Sequence, residues 1–180
     1  LPSNVSFHSM TREDIPAMKR LNQTLLPIPY PDSYYRETLS DLTIHDLTLL
    51  AFWNDHPVTA AIKCREEKGM LVGAIRCRVL HPIHFAAPGE LPRKDAPIVL
   101  YLSTLSVLAP YRGCGIAAAM LREIEKRGVE QHGCGTAGAH VWELNEEGLR
   151  WYNKNGFVVK RKQEGYYRRL KPQTAMVVEK

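Results

Sequence analysis

The run "IVLYLSTLSVLAPYRGCGIAAAML", residues 98–121, constrains this chain more than any other stretch. Residues 98–108 are Leu/Val/Ile-rich and alternate with Ser and Thr, the pattern of a central β-strand. Gly113 and Gly115 follow, and Ile116, Met120, Leu121 and Ile124 then recur at helical spacing, predicting a helix from Gly115 to about Glu130. The first amides of such a helix have no acceptor one turn back, and the dipole adds positive potential beside them. A glycine-rich turn entering a helix is therefore an anion site in waiting, to which Arg112 adds a charge-assisted donor.

The remaining elements follow from periodicity and punctuation. Thr11 with Asp14 predicts a capped helix start, and Ile15, Met18, Leu21, Asn22 and Leu25 give its stripe. "LLPIPYPD", 25–32, carries three prolines and must be an ordered loop, before a short helix from about Ser33 to Leu42. Strands are predicted at 47–53, 58–64, 70–79 and 136–142, with a long, exposed, proline-bent loop over 80–97. Asn145 caps a helix through Asn153, stopped at Gly156. "FVVKRK" and "YYRRL" read as strands around a "QEG" turn, with a further strand in "AMVVEK". Early helices, antiparallel strands and a strand–helix–strand–helix–strand tail predict a mixed α/β (α+β) protein of one domain over 1–180.

"GCGIAA" satisfies the dinucleotide fingerprint G-x-G-x-x-G/A, but "APYR" separates it from the strand, and no acid ends the next strand at the expected distance. R-x-x-G-x-A, Arg112 to Ala117, accounts for the arginine as well. It resembles the pyrophosphate-binding signature of the GNAT acetyltransferases. "MKRLNQTLLPIPYPDSYY", "YLSTLSVLAPYRGCGIAAAML" and "HVWELNEEGLRWYNKNGF…GYYRRLKP" extend the likeness to protein N-alpha-acetyltransferases of the NatE type. It spans most of residues 10–175, with inserted segments near 56–71 and 81–97.

That resemblance implies a GNAT fold: a central, mostly antiparallel sheet flanked by helices and splayed at the acetyl-CoA site. It implies acetyl transfer to the α-amino group of protein N-termini, those starting with Met foremost. Tyr101 and His140 would be the catalytic pair. Leu105, Val107, Arg112, Gly113, Cys114, Gly115, Ile116, Ala117, Asn145 and Tyr152 would hold acetyl-CoA. Leu26, Pro27, Ile28, Tyr30, Ser103, Tyr166, Tyr167, Arg168 and Arg169 would hold the peptide. Leu26 replaces a usual aromatic and Ser103 a usual methionine, making the pocket smaller and more polar. Acetylation of lysines or small amines, and a weakly active acetyl-CoA-binding scaffold, remain alternatives.

The chemistry is consistent with these residue types. An amine nucleophile must be neutral, and an α-amino group titrates near 8, so a neutral histidine is base enough. Tyr101 alternates along its strand and could relay the proton; Tyr152 lies two helical turns beyond the Asn145 cap. Taken alone, each of these could be a satisfied core residue.

Composition sets the surroundings. The formal charge of +5 and pI near 9.1 suit acidic partners. The knot "VVKRKQEGYYRRLK" reads as a solvated face more readily than a nucleic-acid site. Cys64, Cys77, Cys114 and Cys134 have no C-x-x-C spacing and read as reduced thiols. His81 and His84 lack a third metal ligand and read as solvent-exposed. With neither a secretory signal nor a membrane span in evidence, a cytoplasmic location is expected, and the resemblance adds association with the NatA complex and the ribosome.

Overall fold

A computed structural model of the chain describes residues 1–55 and 69–180. The strand expected at 58–64, Cys64 and most of the insertion expected near 56–71 lie outside the described residues. In chain order the elements are β1 (Val5–His8), α1 (Ile15–Leu25), α2 (Asp32–Ser40), α3 (Leu42–Asp46), β2 (Thr48–Trp53) and β3 (Met70–Leu80). They continue as β4 (Val99–Val107), α4 (Ile116–His132), β5 (Thr136–Trp142), α5 (Glu146–Lys154), β6 (Val158–Gln163) and β7 (Ala175–Glu179). The strands form one seven-stranded ladder in the order β1-β2-β3-β4-β5-β7-β6. The β1–β2, β2–β3, β5–β7 and β6–β7 pairings are antiparallel, whereas β4–β5 is parallel.

The chain divides into two compact units, Leu1–Cys77 with Thr104–Arg127, and Arg78–Ser103 with Gly128–Lys180. In the first, Asp14 Oδ2 accepts from the backbone N–H and the hydroxyl of Thr11, at 2.8 Å each, closing the expected cap. Helix α1 stops at Leu25 because Leu26 precedes Pro27 and is extended, with φ −105° and ψ 137°. Met18 and Leu21 of α1 pack with Tyr34 and Tyr35 of α2 against Leu50, Phe52, Leu71 and Ala74 of the sheet. Burying each such side chain fully contributes about 1.5–3 kcal/mol, so this cluster fixes α1 and α2, and with them the loop between. Strand β3 passes so close to β4 that a Cβ on Gly73 would lie 3.1 Å from Ser106 O.

The same unit buries a charge. Arg76 on β3 is 0% exposed and donates to Glu37 at 2.5 Å and to Thr38 Oγ1 at 2.7 Å. Its guanidinium lies 4.1 Å from the centre of the Tyr34 ring, and the Tyr34 hydroxyl meets Thr104 Oγ1 at 2.7 Å.

The second unit is built on Phe85, Val99 and Val177, with Leu80 and Tyr101 packed alongside. Asn145 Oδ1 accepts from Gly148 N–H at 2.9 Å and starts α5 as expected, and Gly156 follows the helix with φ 90°.

Four expectations need correction. The short strand β1 carries no strong alternation and is missed, and the helix expected over 33–42 is α2, ending at Ser40, with a second, unexpected helix α3 behind it. Asp41 divides them, extended at ψ 112° and accepting from Ile44 N–H to cap α3. The 80–97 loop is not simply exposed: a 3-10 turn at Pro82–His84 buries Pro82 and Phe85. "YYRRL" is not a strand: β7 is the strand that pairs with β6, and that run forms the connection between them. Tyr167 N–H instead bonds Gln173 C=O at 2.9 Å, closing a loop.

Removing the carboxylate of the buried pair tests its energetics. Glu37→Ala is expected to lower unfolding stability by about 2 kcal/mol in urea denaturation, below the ~3–5 kcal/mol for a fully buried pair because the Glu37 side chain is 44% exposed. Adding Arg76→Met, which removes the stranded cation, is expected to recover part of that loss.

Candidate active site

In the first unit, β4 ends at Val107 and a 3-10 turn over Ala109–Tyr111 leads into the glycines. Gly113 and Gly115 have φ of 76° and 79°, values that L side chains rarely adopt, so glycine is required at both. No atom stands within 4 Å of where a Cβ would sit on either, leaving the turn open for a ligand to approach the backbone. The first intrahelical bond of α4 runs from Ala119 N–H to Gly115 C=O, so the amides from Ile116 to Ala118 precede the ladder. This matches a diphosphate: backbone donors, an open surface and a 17-residue helix behind them.

The expected contact residues there divide by burial. Ile116 is 1% exposed, so its side chain is core and only its amide could serve a ligand. Arg112 is exposed and donates from Nε to Val107 C=O at 3.1 Å, tying the turn to the strand. Cys114 is half-buried, with Sγ 3.8 Å from Arg112 C=O. Leu105 and Ala117 are half-buried and Val107 is buried. In the second unit the Asn145 side chain is committed to its cap. Tyr152, half-buried on α5, packs edge-on against Trp151 and Phe157.

The second unit also gathers the proton-handling groups. Strands β4 and β5 pair in parallel from Val99↔Thr136 to Tyr101↔Gly138, which sets Tyr101 two residues before the level of His140 on β5. The Tyr101 hydroxyl lies 3.2 Å from His140 Nδ1 and 2.8 Å from the Tyr166 hydroxyl. His140 Nε2 meets Gln163 Oε1 at 3.0 Å. Tyr166 stacks on the imidazole at 4.0 Å with a 2° tilt, and the Tyr167 hydroxyl donates to His140 C=O at 2.8 Å. Phe85 closes the cluster edge-on, 5.7 Å from the imidazole and 5.9 Å from Tyr101. It fits because position 138 is glycine: a Cβ there would lie 2.4 Å from the Phe85 ring.

Burial lowers the His140 pKa below its ordinary value; the Gln163 hydrogen bond opposes this, and the Arg161 charge lowers it further. Desolvation is the largest effect, so the ring is neutral at pH 7 and can accept a proton.

The candidate peptide residues lie in both units. In the first, Leu26, Ile28 and Tyr30 are half-buried and Pro27 is exposed, and the Tyr30 ring sits 4.2 Å from that of Tyr34. In the second, Ser103 is half-buried, Tyr166 is 37% exposed, and Arg168 and Arg169 are exposed.

Sequence reasoning missed Gln163, Arg161 and Phe85. Gln163 and Arg161 are two apart on one strand and so share a face, a signal available in the sequence but hidden within a basic run. Arg161 leaves the solvated face expected of that run: it is half-buried and donates to Phe85 C=O at 2.5 Å. Phe85 had no periodic neighbours to mark it.

Known proteins share this arrangement of elements. N-alpha-acetyltransferase 50 of Danio rerio is 29% identical over 181 residues, covering 100% of this chain and 90% of its own length. A Drosophila melanogaster protein named probable N-acetyltransferase san is 28% identical, covering 99% of this chain and 81% of its own. The solved structure of Arabidopsis thaliana Naa50 with the bisubstrate analogue CoA-Ac-MVNAL superposes with a TM-score of 0.72 at 29% identity, covering 98% of each chain. Arabidopsis thaliana NAA60 with acetyl-CoA has the same fold, at a TM-score of 0.75 and 19% identity over 98% of each chain. The acetyltransferase (GNAT) family pattern matches residues 15–157, which take in the glycine turn, Tyr101 and His140. The chain belongs to the GNAT acetyltransferase family.

Proposed function

We propose that this chain is a protein N-alpha-acetyltransferase that moves acetyl from acetyl-CoA to the α-amino group of protein N-termini, those beginning with Met foremost. The observation that carries this reading is the neutral His140, 3.2 Å from the Tyr101 hydroxyl and desolvated by its own unit. The relatives named N-alpha-acetyltransferase 50 and Naa50 support the choice of an N-terminal amine over a lysine. A family match spanning residues 15–157 supports one acetyltransferase domain, within which the segments near 56–71 and 81–97 are read as insertions.

Bound acetyl-CoA would supply an activated thioester carbonyl. The exposed Arg112 and the amides from Gly113 to Ala117 would hold its diphosphate, with Leu105 and Val107 along β4. Leu105 N–H is the candidate donor to the developing oxyanion, and the Tyr152 phenol on α5 is a candidate proton source. Leu26, Pro27, Ile28 and Tyr30, with Ser103 and Tyr166 to Arg169, would receive the peptide. Tyr101 would take the amine proton and pass its own to His140, at a site holding the amine near the carbonyl. The positive charge of +5 fits association with NatA and the acidic surface of the ribosome, hence a cytoplasmic enzyme. Among the described residues, no helix is long and apolar enough to cross a membrane.

Acetyl transfer to a Met-Leu peptide, measured beside an Nα-blocked lysine peptide, tests the assignment. Transfer to the first peptide alone is expected, with His140→Ala lowering kcat by about a hundredfold, within the range of general-base catalysis. Equal transfer to the lysine peptide would overturn the substrate class, and an unchanged kcat would remove the base. Calorimetry is expected to show a Kd for acetyl-CoA that rises about tenfold in Arg112→Ala, the loss of one charge-assisted bond. No heat of binding in the unsubstituted protein would discard the cofactor.

A further inference from the structure

We propose that Gln163 is a positioning residue that fixes the tautomer of His140, holding the ring proton on Nε2 so that Nδ1 faces the Tyr101 hydroxyl as the proton acceptor. The inference rests on the acetyltransferase reading for its catalytic consequence but not for the tautomer itself. A neutral imidazole carries one N–H and one lone pair, and the partner of one nitrogen decides the role of the other. Gln163 Oε1 can only accept, so at 3.0 Å from Nε2 it requires the proton there. Nδ1 is left with its lone pair toward Tyr101, whose hydroxyl can donate at 3.2 Å. Tyr166, 2.8 Å from that oxygen, then donates to Tyr101 in turn.

The hydrogen bonds thus run in one direction, from Tyr166 through Tyr101 to Nδ1, and from Nε2 out to Gln163. In the reaction, a substrate ammonium N–H bond breaks and its proton joins the Tyr101 oxygen. The Tyr101 O–H bond breaks as a new N–H forms at Nδ1. The amine becomes neutral and the ring becomes an imidazolium, still donating from Nε2 to Gln163. With the other tautomer, Nδ1 would already carry a proton, and Tyr101 would have nowhere to send its own.

The rest of the cluster serves this arrangement. Tyr166 fixes the ring plane by stacking, and Tyr167 anchors the backbone of His140. Among the described residues, the titratable or charged groups around the ring are Tyr101 from β4, Arg161 from β6 and Tyr166 from the following turn. β7 contributes Val177, paired with His140 in register, and the 81–97 loop contributes Phe85. No carboxylate is among these groups, so Gln163 is a neutral acceptor that selects one nitrogen while favouring the charged ring less than burial disfavours it.

The decisive experiment is 15N NMR of the imidazole, with His140 assigned by its loss in His140→Ala and the tautomer read without acetyl-CoA or peptide. Nε2 is expected to be protonated and Nδ1 bare in the unsubstituted protein. Gln163→Glu, which still can only accept, is expected to keep that tautomer and raise the ring midpoint by about 1 pH unit or more, as a carboxylate within hydrogen-bond reach does. Gln163→Leu is expected to give a mixture of tautomers and to lower kcat about tenfold with KM little changed, while Gln163→Glu retains kcat above pH 7. A protonated Nδ1 in the unsubstituted protein would overturn the proposal, as would an unaltered tautomer and kcat in Gln163→Leu. A correct tautomer in a protein that transfers no acetyl group would overturn the enzymatic reading and leave the role of Gln163 standing.

Discussion

The second unit depends on a short parallel ladder. Strands β4 and β5 share three residue pairs, ending at Tyr101↔Gly138, although β4 continues to Val107 and β5 to Trp142. That register brings the Tyr101 hydroxyl alongside His140, two residues beyond Gly138 on the same face of β5. It also puts a glycine where Phe85 must enter, since any Cβ at 138 would collide with the ring. Beyond Tyr101 the partnership of β5 is carried by β7, which pairs with it as far as Trp142. One pairing register therefore places His140, the hydroxyl beside it and the Phe85 ring packed edge-on against both.

Two opposing effects then decide the state of His140. Burial among Phe85, Tyr101 and Tyr166 disfavours the charged ring, and Gln163 favours it by accepting a hydrogen bond. Burial is the larger, and Arg161 adds to it. A neutral ring is useful only if its lone pair faces the proton, and desolvation by itself does not choose between the nitrogens. The apolar rings set the charge state and the single amide sets the direction. The two tasks fall to different residues, so they can be separated by substitution.

Much of this was legible in the sequence, for identifiable reasons. Strand β4, helix α4, the cap at Asn145 and the glycine turn rest on local rules of period, capping and φ, and they lie within one or two residues of where those rules put them. Tyr101 and His140 came from the family likeness, because a tyrosine and a histidine in apolar strands look the same whether catalytic or structural. The cluster around them was not legible. Gln163, Arg161 and Phe85 meet the ring only after β6 pairs with β7 and the 81–97 loop folds back, contacts that no local pattern encodes. "YYRRL" failed for the same reason: its residues suit a strand, but the tyrosine hydroxyls found partners at Tyr101 and His140 C=O that no local pattern encodes.

The first unit shows how a proline loop can be rigid at a half-exposed position. Tyr30 leans on Tyr34, and the Tyr34 ring also contacts the Arg76 guanidinium while its hydroxyl is held by Thr104. Burial raises the Tyr34 pKa far above its ordinary range, so its hydroxyl stays protonated and can donate to Thr104 at any physiological pH. Arg76 could have been an apolar residue at lower desolvation cost, since a buried ion pair is weak evidence of net stability. What the cation contributes is orientation: its donors fix Glu37 and Thr38 of α2, and its face fixes the ring that supports Tyr30. In the proposed peptide-binding role, an "LLPIPY" loop ordered before the peptide arrives would lower the entropy lost on binding, and the prolines would act in the same sense. The buried charge is thus better understood as a support for the loop than as a source of stability.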